Sequence, residues 1–339
     1  MMDTDPIRLA TRSSALALAQ ARSVASTIEA HRRDVELVEI STTGDELEDE
    51  LVHRLGTTGA FVRSLDQAVI DGEVDGAIHS MKDVPTDQPP ELVIAAIPPR
   101  APATDVLVTP SGSTIVELPE GATVGTGSLR RRAQVLRNRS DLEVEPIRGN
   151  VDTRLAKLFA PLVADGEEVE APKKVVERAR DLEVDTEYDA LVLAKAGLVR
   201  AGLADAVPTV DLSGFVPAPG QGALAVSGLD SELAAWINNV VDDPRTRVET
   251  TVERRVMAAI GGGCIAPIGI HAIIQGEQVQ TRVQVLERDG EGGINITRQL
   301  QIDNYLEEAE GLAEELLDLG ASEIVERAKR DEPGPRHRD

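Results

Sequence analysis

The chain is most constrained by its alternation of short β-rich runs with amphipathic stretches, in two series separated by the proline cluster Pro98-Pro99-Arg100-Ala101-Pro102. Strand-then-helix pairs in succession call for a mostly parallel sheet covered by helices, an α/β architecture. In the first series Ile7 to Thr11 reads as a strand. Ser14 is placed to cap a helix in which Ala15, Leu18, Ala21, Ala25 and Ile28 recur every three or four residues on one face. Val35 to Ser41 is the next strand, Asp45 to Glu50 an acidic loop, Phe61 to Ile70 a helix, and Ala77 to Ser80 a buried strand leading to Met81-Lys82-Asp83 and a turn at Val84-Pro85.

The second series comprises Asp105 to Thr109, Thr123 to Thr126, a helix from Leu129, Val144 to Arg148, a helix from Val151, and the strand Ala190 to Ala194. Asp165 to Glu187, rich in charges of both signs, reads as a solvated surface insertion. After a second linker, Pro217 to Gly222, come a strand, Ala223 to Ser227, and a helix, Leu233 to Val240. If that strand returns to the first sheet, the chain crosses twice between domains and forms a hinge over a cleft. The pattern alone leaves simple succession of two domains equally open. From Thr246 a helix, a glycine loop at Gly261 to Gly263, β-rich runs through Ile302 and a long acidic helix from Tyr305 to about Lys329 describe a small α+β domain.

Composition narrows the function. There are 35 basic and 59 acidic residues, a net charge of −24, with six lysines, a balance that argues against general nucleic-acid binding. An acidic, lysine-poor chain with 2% aromatics suits solubility in concentrated salt, where charge repulsion is screened within about 3 Å at 1 M. A halophilic source is the resulting hypothesis. A single cysteine allows no intramolecular disulfide, and MMDTDPIRLA lacks the pattern of an export signal, so a cytoplasmic location is expected. No apolar stretch approaches the ~20 residues of a membrane span, so no membrane partner is expected. His31, His53, His79, His271 and His337 show no ligand-like spacing, so no metal is expected either.

Against the acidic background, Arg130, Arg131 and Arg132 follow Gly125-Thr126-Gly127-Ser128 at a helix start, where backbone N–H groups and the positive dipole end favour an anion. Arg12, Arg148 and Arg154 also fall near strand ends or helix starts, where ligands of open α/β sheets gather. For any one arginine, surface salt bridging is an equal alternative, but the shared placement favours a site for a polycarboxylate, which guanidinium pairs bidentately. Asp83 at another strand end reads alone as an ordinary polar turn; among arginines it would stay ionised, offset a cation and relay protons. Cys264, in Gly261-Gly262-Gly263-Cys264-Ile265-Ala266-Pro267, is read either as a small buried hydrophobe or as an approachable sulfur.

Six segments resemble the hydroxymethylbilane synthase (porphobilinogen deaminase) family, in its order and over nearly the whole chain: IRLATRSS from Ile7, HSMKDVP from His79, GTGSLRRRAQ from Gly125, RGNVDTRL from Arg148, PGQGAL from Pro219 and GGGCIAPIG from Gly261. The resemblance implies a dipyrromethane cofactor, made from substrate and tethered to Cys264 as a thioether. On it four porphobilinogen molecules are condensed with loss of ammonia, and water releases hydroxymethylbilane, a step of tetrapyrrole biosynthesis. Asp83 matches the family's essential aspartate, which offsets the charge of a cationic azafulvene. Arg12, Arg130, Arg131, Arg148, Arg154 and Arg200 match arginines that meet the acetates and propionates. Ser14, Ser80, Lys82, Thr126 and Ser128 match polar contacts, Phe61 an aromatic beside the substrate, and Gln221 a polar contact or a hinge position.

The family fold implies two periplasmic-binding-protein-like doubly wound domains with a hinge plus a small α+β C-terminal domain: residues 1–100 with 222–243, 101–221, and 244–330, followed by a tail at 331–339. The expected partner is porphobilinogen alone, and the expected state a monomer. The sequence departs from the family at Gly56-Thr57-Thr58-Gly59, where a loop lysine is common, and in the charged stretch from Asp165 to Glu187.

Overall fold

A computed structural model of the chain describes residues 5–40, 60–262 and 266–330. These fall into two compact units, Met1–Ala103 with Gly220–Arg254, and Thr104–Pro219 with Arg255–Asp339. The acidic loop at 45–50, Gly56 to Gly59, Cys264 and the tail lie outside the described residues.

The first unit is built on a five-stranded sheet of order β2-β1-β3-β10-β4, with β1 Ile7–Arg12, β2 Val35–Ile40, β3 Gly76–Ser80, β4 Leu92–Ala96 and β10 Leu224–Leu229. β1 runs parallel to β2 and β3, whereas β10 is antiparallel to both β3 and β4, with Leu224 opposite Ser80. The strand after the second linker therefore returns to the first sheet, which decides between the two topologies that pattern left open. The expectation of a mostly parallel sheet needs that one correction, and β4 is an element the sequence reading did not contain.

Helix α1 Ala15–Glu29 begins where the Ser14 side chain accepts from the Ala17 N–H, and it buries Ala21, Val24, Ala25 and Ile28. The predicted apolar face is thus the one that meets β1, in a core with Leu9, Val226 and Ile237. Helix α2 Ala60–Ile70 covers Ala10, Ala77 and Leu92 with Leu65, Ala68 and Val69.

The second unit carries a five-stranded sheet of order β7-β6-β8-β5-β9, with β5 Asp105–Val108, β6 Thr123–Gly125, β7 Glu143–Glu145, β8 Ala190–Ala194 and β9 Thr209–Asp211. β6 is parallel to β7 and β8, and β5 is antiparallel to β8 and β9. Helices α3 Leu129–Asn138 and α4 Val151–Ala164 follow β6 and β7 as the sequence predicts.

Asp165 to Glu187 is only partly a solvated insertion. Within it helix α5 Lys173–Arg180 inserts Val175 and Ala179 into the core beside Leu155 and Phe159. Two small residues four apart suffice to dock one face, and the surrounding charges hide that period in the sequence. Helix α6 Lys195–Arg200 follows β8.

An antiparallel sheet of β11 Ile268–Gln275, β12 Gln278–Leu286 and β13 Gly293–Gln301 completes this unit. The expected single acidic helix is two, α9 Tyr305–Asp318 and α10 Ala321–Arg330, interrupted at Leu319-Gly320 by the glycine that commonly ends a helix. Helices α7 Glu232–Val241 and α8 Pro244–Ala259 lie between β10 and β11, and the division between the units falls within α8. No described helix is long and apolar enough to cross a membrane, and among the described residues no cluster could hold a metal ion.

Candidate active site

Because β1 and β3 are parallel, their carboxyl ends share one edge of the first sheet, and antiparallel β10 begins at that same edge. This register gathers Arg12 at the end of β1, Ser14 just beyond it, Ser80 at the end of β3, and Lys82 and Asp83 after it. Lys82 and Asp83 stand on a 3-10 turn, Met81–Asp83, with Nζ and Oδ1 4.0 Å apart and side chains 45% and 52% exposed. The turn itself is anchored: the Met81 N–H donates to the Ala223 carbonyl (3.0 Å), and the Met81 side chain is fully buried. A carboxylate is thus presented outward from a turn held by a backbone hydrogen bond and a buried side chain. Phe61 is the second residue of helix α2, and its side chain lies outside the described set.

Beside this edge the chain leaves and re-enters the unit through two segments bonded to each other. The Ala101 N–H donates to the Gly222 carbonyl (3.1 Å), and Arg100 Nε donates to the Gln221 carbonyl (2.9 Å). The buried Gln221 side chain donates to the Ala103 carbonyl, so it fastens this crossing. Arg100 also pairs bidentately with buried Glu253 of α8 (2.8 and 3.0 Å), which accepts in addition from the Gly220 N–H at 2.7 Å.

On the second unit, parallel β6, β7 and β8 likewise end at one edge. Thr126 follows β6, and its hydroxyl accepts from the Ser128 N–H (3.2 Å); Ser128 caps α3 by accepting from the Arg131 N–H (3.4 Å). Exposed Arg148 follows β7, Arg154 stands in the first turn of α4 with Nε on the Gly149 carbonyl (2.8 Å), and half-buried Arg200 ends α6 after β8. Burial pushes the Arg200 guanidinium below its ordinary pKa.

Arg130 and Arg131 point inward. Both pair with Asp105 at the start of β5: Arg130 Nη1 donates to Oδ2 (2.7 Å) and to the Val216 carbonyl (2.7 Å), and Arg131 donates through Nε (3.0 Å) to Oδ1, with Nη2 2.9 Å from the same oxygen. Burial lowers the Arg131 pKa, Asp105 opposes the shift, and the neighbouring Arg130 adds to it. Asp105 thus holds both guanidiniums and ties α3 to β5. Arg132 bonds the Val144 carbonyl, and Gln134 exchanges bonds with the Val216 backbone.

Sequence reading missed Asp105, Glu253, Arg254 and the buried cluster of His79, Asp66 and Ser227, whose polar atoms lie 3.0 Å apart. Charged residues inside a strand or helix look like solvated faces in a sequence. The one available signal was His79 and Ser227 on otherwise apolar strands.

Family models match the two stretches that supply these residues. Residues 7–235 fit the porphobilinogen deaminase dipyrromethane cofactor-binding domain, and residues 248–318 fit the porphobilinogen deaminase C-terminal domain. The chain belongs to the porphobilinogen deaminase family. A protein of Halobacterium salinarum named "Probable porphobilinogen deaminase" is 44% identical over 97% of this chain and 99% of its own length. The porphobilinogen deaminase of Acidothermus cellulolyticus is 39% identical over 96% and 92%. Among solved structures, the methionine-binding protein MetQ aligns with a TM-score of 0.39 at 12% identity, covering 72% of this chain and 93% of that one. The fold assignment rests on the strand orders above and not on that likeness.

Porphobilinogen deaminases carry a dipyrromethane, and the donor set here fits such a group. Each pyrrole ring bears an acetate and a propionate, and the strand-end side chains on each unit are arginines, lysine and hydroxyls suited to carboxylates. The loop containing Cys264 joins α8 to β11, with Cys264 itself outside the described residues.

Proposed function

We propose that this chain is a hydroxymethylbilane synthase, joining four porphobilinogen molecules with loss of ammonia on a dipyrromethane attached through Cys264 and releasing hydroxymethylbilane with water. The reading is carried by Asp83, an exposed carboxylate on an anchored turn at the sheet edge that also ends in Arg12, in a chain matched by both porphobilinogen deaminase models. Dipyrromethane, when bound, would supply the free α-carbon to which the first unit is added, and each later unit would extend the growing chain.

Asp83 offsets the positive charge that appears on a porphobilinogen ring as ammonia departs, and Lys82 keeps that carboxylate from drifting. Arg12, Ser14, Phe61 and Ser80 serve the ligand from the first unit. Thr126, Ser128, Arg130, Arg131, Arg148, Arg154 and Arg200 serve it from the second. Gln221 acts through the chain crossing that it fastens. The domain division is taken as residues 1–100 with 222–243, 101–221, and 244–330. The enzyme is taken to work as a cytoplasmic monomer on porphobilinogen, with no nucleic-acid or membrane partner.

Intact-protein mass spectrometry tests the attachment: the purified chain should exceed its sequence mass by two linked pyrroles, and Cys264→Ala should remove the excess. Active protein without that excess refutes the reading. Asp83→Asn should keep fold and adduct yet lose turnover by roughly 10²-fold or more, the scale of one electrostatic catalytic group. Near-normal turnover in that variant excludes the role of Asp83.

A further inference from the structure

Arg254, on α8, reaches the turn that carries Asp83. Its Nη1 donates to the Val84 carbonyl (2.7 Å) and makes a longer contact with the Met81 carbonyl (3.5 Å), and its Nη2 donates to the Pro85 carbonyl (2.8 Å). The acceptors bracket Lys82 and Asp83 on both sides, and no carboxylate pairs with Arg254 among the described residues. Burial lowers its pKa, so this cation bears a desolvation cost in order to hold three carbonyl oxygens.

The turn is confined from another direction by Gly220, where a Cβ would lie 2.7 Å from Met81 Cγ and 3.2 Å from the Lys82 amide nitrogen. Glu253, the residue before Arg254, fixes Gly220 through its N–H. Two consecutive side chains of one helix thus hold the two backbone segments that determine where Asp83 points.

We propose that Arg254 is a positioning residue for Asp83, setting the place of its carboxylate through the carbonyls of Met81, Val84 and Pro85. Reorganising a catalytic group by about 1 Å can cost 10²-fold in rate without weakening substrate binding. A residue that merely caps a loop would lower stability and leave the chemistry of the folded enzyme alone. The proposal rests on the functional reading above, and the two fail separately: absence of the two-pyrrole mass from wild-type protein defeats that reading before any Arg254 variant is made.

The test is a cycle of Arg254→Gln, Asp83→Asn and the double variant in the full chain, with porphobilinogen consumption as the assay and intact mass as the check on cofactor loading. Arg254→Gln should keep the adduct and lower kcat by roughly 10- to 100-fold, with KM within about two-fold. In the Asp83→Asn background the same substitution should change the residual rate by less than about two-fold, because residues acting as one unit are not additive. An equal loss in both backgrounds, a loss confined to KM, or an unchanged kcat overturns the proposal. Arg254→Lys covers the case in which the glutamine variant does not fold. A single ammonium cannot reproduce the planar fork, so kcat should fall at least about five-fold; wild-type kcat in folded Arg254→Lys also overturns the proposal.

Discussion

Asp105→Asn removes one charge and almost no volume from a buried ionic group of the second unit. Asp105 is 1% exposed and serves two buried guanidiniums, those of Arg130 and Arg131. Breaking a buried pair by deleting one partner costs about 3–5 kcal/mol. Here the mutual repulsion of two arginines is also released, which favours the upper half of that range. For a unit of roughly 150–250 residues, a change of that size lowers Tm by about 2–4 °C per kcal/mol, or about 8–20 °C.

An internal control is available in Asp211→Asn, because Lys195 bonds Asp211 at 2.8 and 2.9 Å with side chains 34% and 49% exposed. An exposed pair of that kind contributes about 0–1 kcal/mol, and less at 1 M salt, where screening acts within about 3 Å. Thermal and denaturant unfolding of both variants at low and high salt measures the contrast. The Asp105 effect should be large and nearly independent of salt. If the two variants differ by less than about 1 kcal/mol, the group is not the buried, mutually dependent one described, and the reasoning fails.

Gly222→Ala places a Cβ 2.4 Å from the Ala101 carbonyl oxygen at a backbone φ of +86°, so it should destabilise the chain crossing by about 1–3 kcal/mol from conformation alone, more with the clash. Gly121→Ala, also at positive φ but with nothing within 4 Å, should cost only about 1–2 kcal/mol, and denaturant midpoints compare the two. Hydrogen bonding from Arg139 holds the exposed Asp141 carboxyl below its ordinary range. Its small contribution to stability is therefore present above that range and lost as pH falls through the lowered folded value, and NMR titration should find Asp141 ionised at pH values where most aspartates are protonated. With a net charge of −24, transfer from molar salt to dilute buffer should unfold the protein if its acidity is a salt adaptation, and retained circular dichroism in dilute buffer rules that out.

The parts of the fold that were legible in the sequence are those governed by local periodicity. The face of α1 could be read in part, because apolar residues recur every three or four positions behind a serine cap: of the five expected, Ala21, Ala25 and Ile28 are buried, joined by Val24. The turn at Asp83 could be read because a strand with buried residues runs into Val-Pro. Helix α5 was obscured because its docking face is two residues wide, and β9 because three residues carry little period. The return of β10 to the first sheet is a long-range pairing, and local pattern contains no information about a partner over a hundred residues away. Within the site, strand-end arginines could be nominated from sequence. The direction in which Arg130 and Arg131 point depends on Asp105, a residue whose burial no local pattern signals.

The same contacts show how arginines are held in fixed orientations within a chain so rich in carboxylates. An arginine on this surface would ordinarily be neutralised by one of 59 acidic side chains. Arg254 is held by backbone carbonyls, which orient a guanidinium while leaving its charge uncancelled. Arg130 and Arg131 are both held by the Asp105 carboxylate in a fixed geometry. Both arrangements need a planar donor that can bond in several directions at once, which an ammonium cannot supply. That requirement gives a physical reason for arginine and not lysine at Arg130, Arg131 and Arg254. It also implies that replacing Arg130 or Arg131 by lysine would preserve charge and still lose the planar, several-directional donation by which the guanidinium is held.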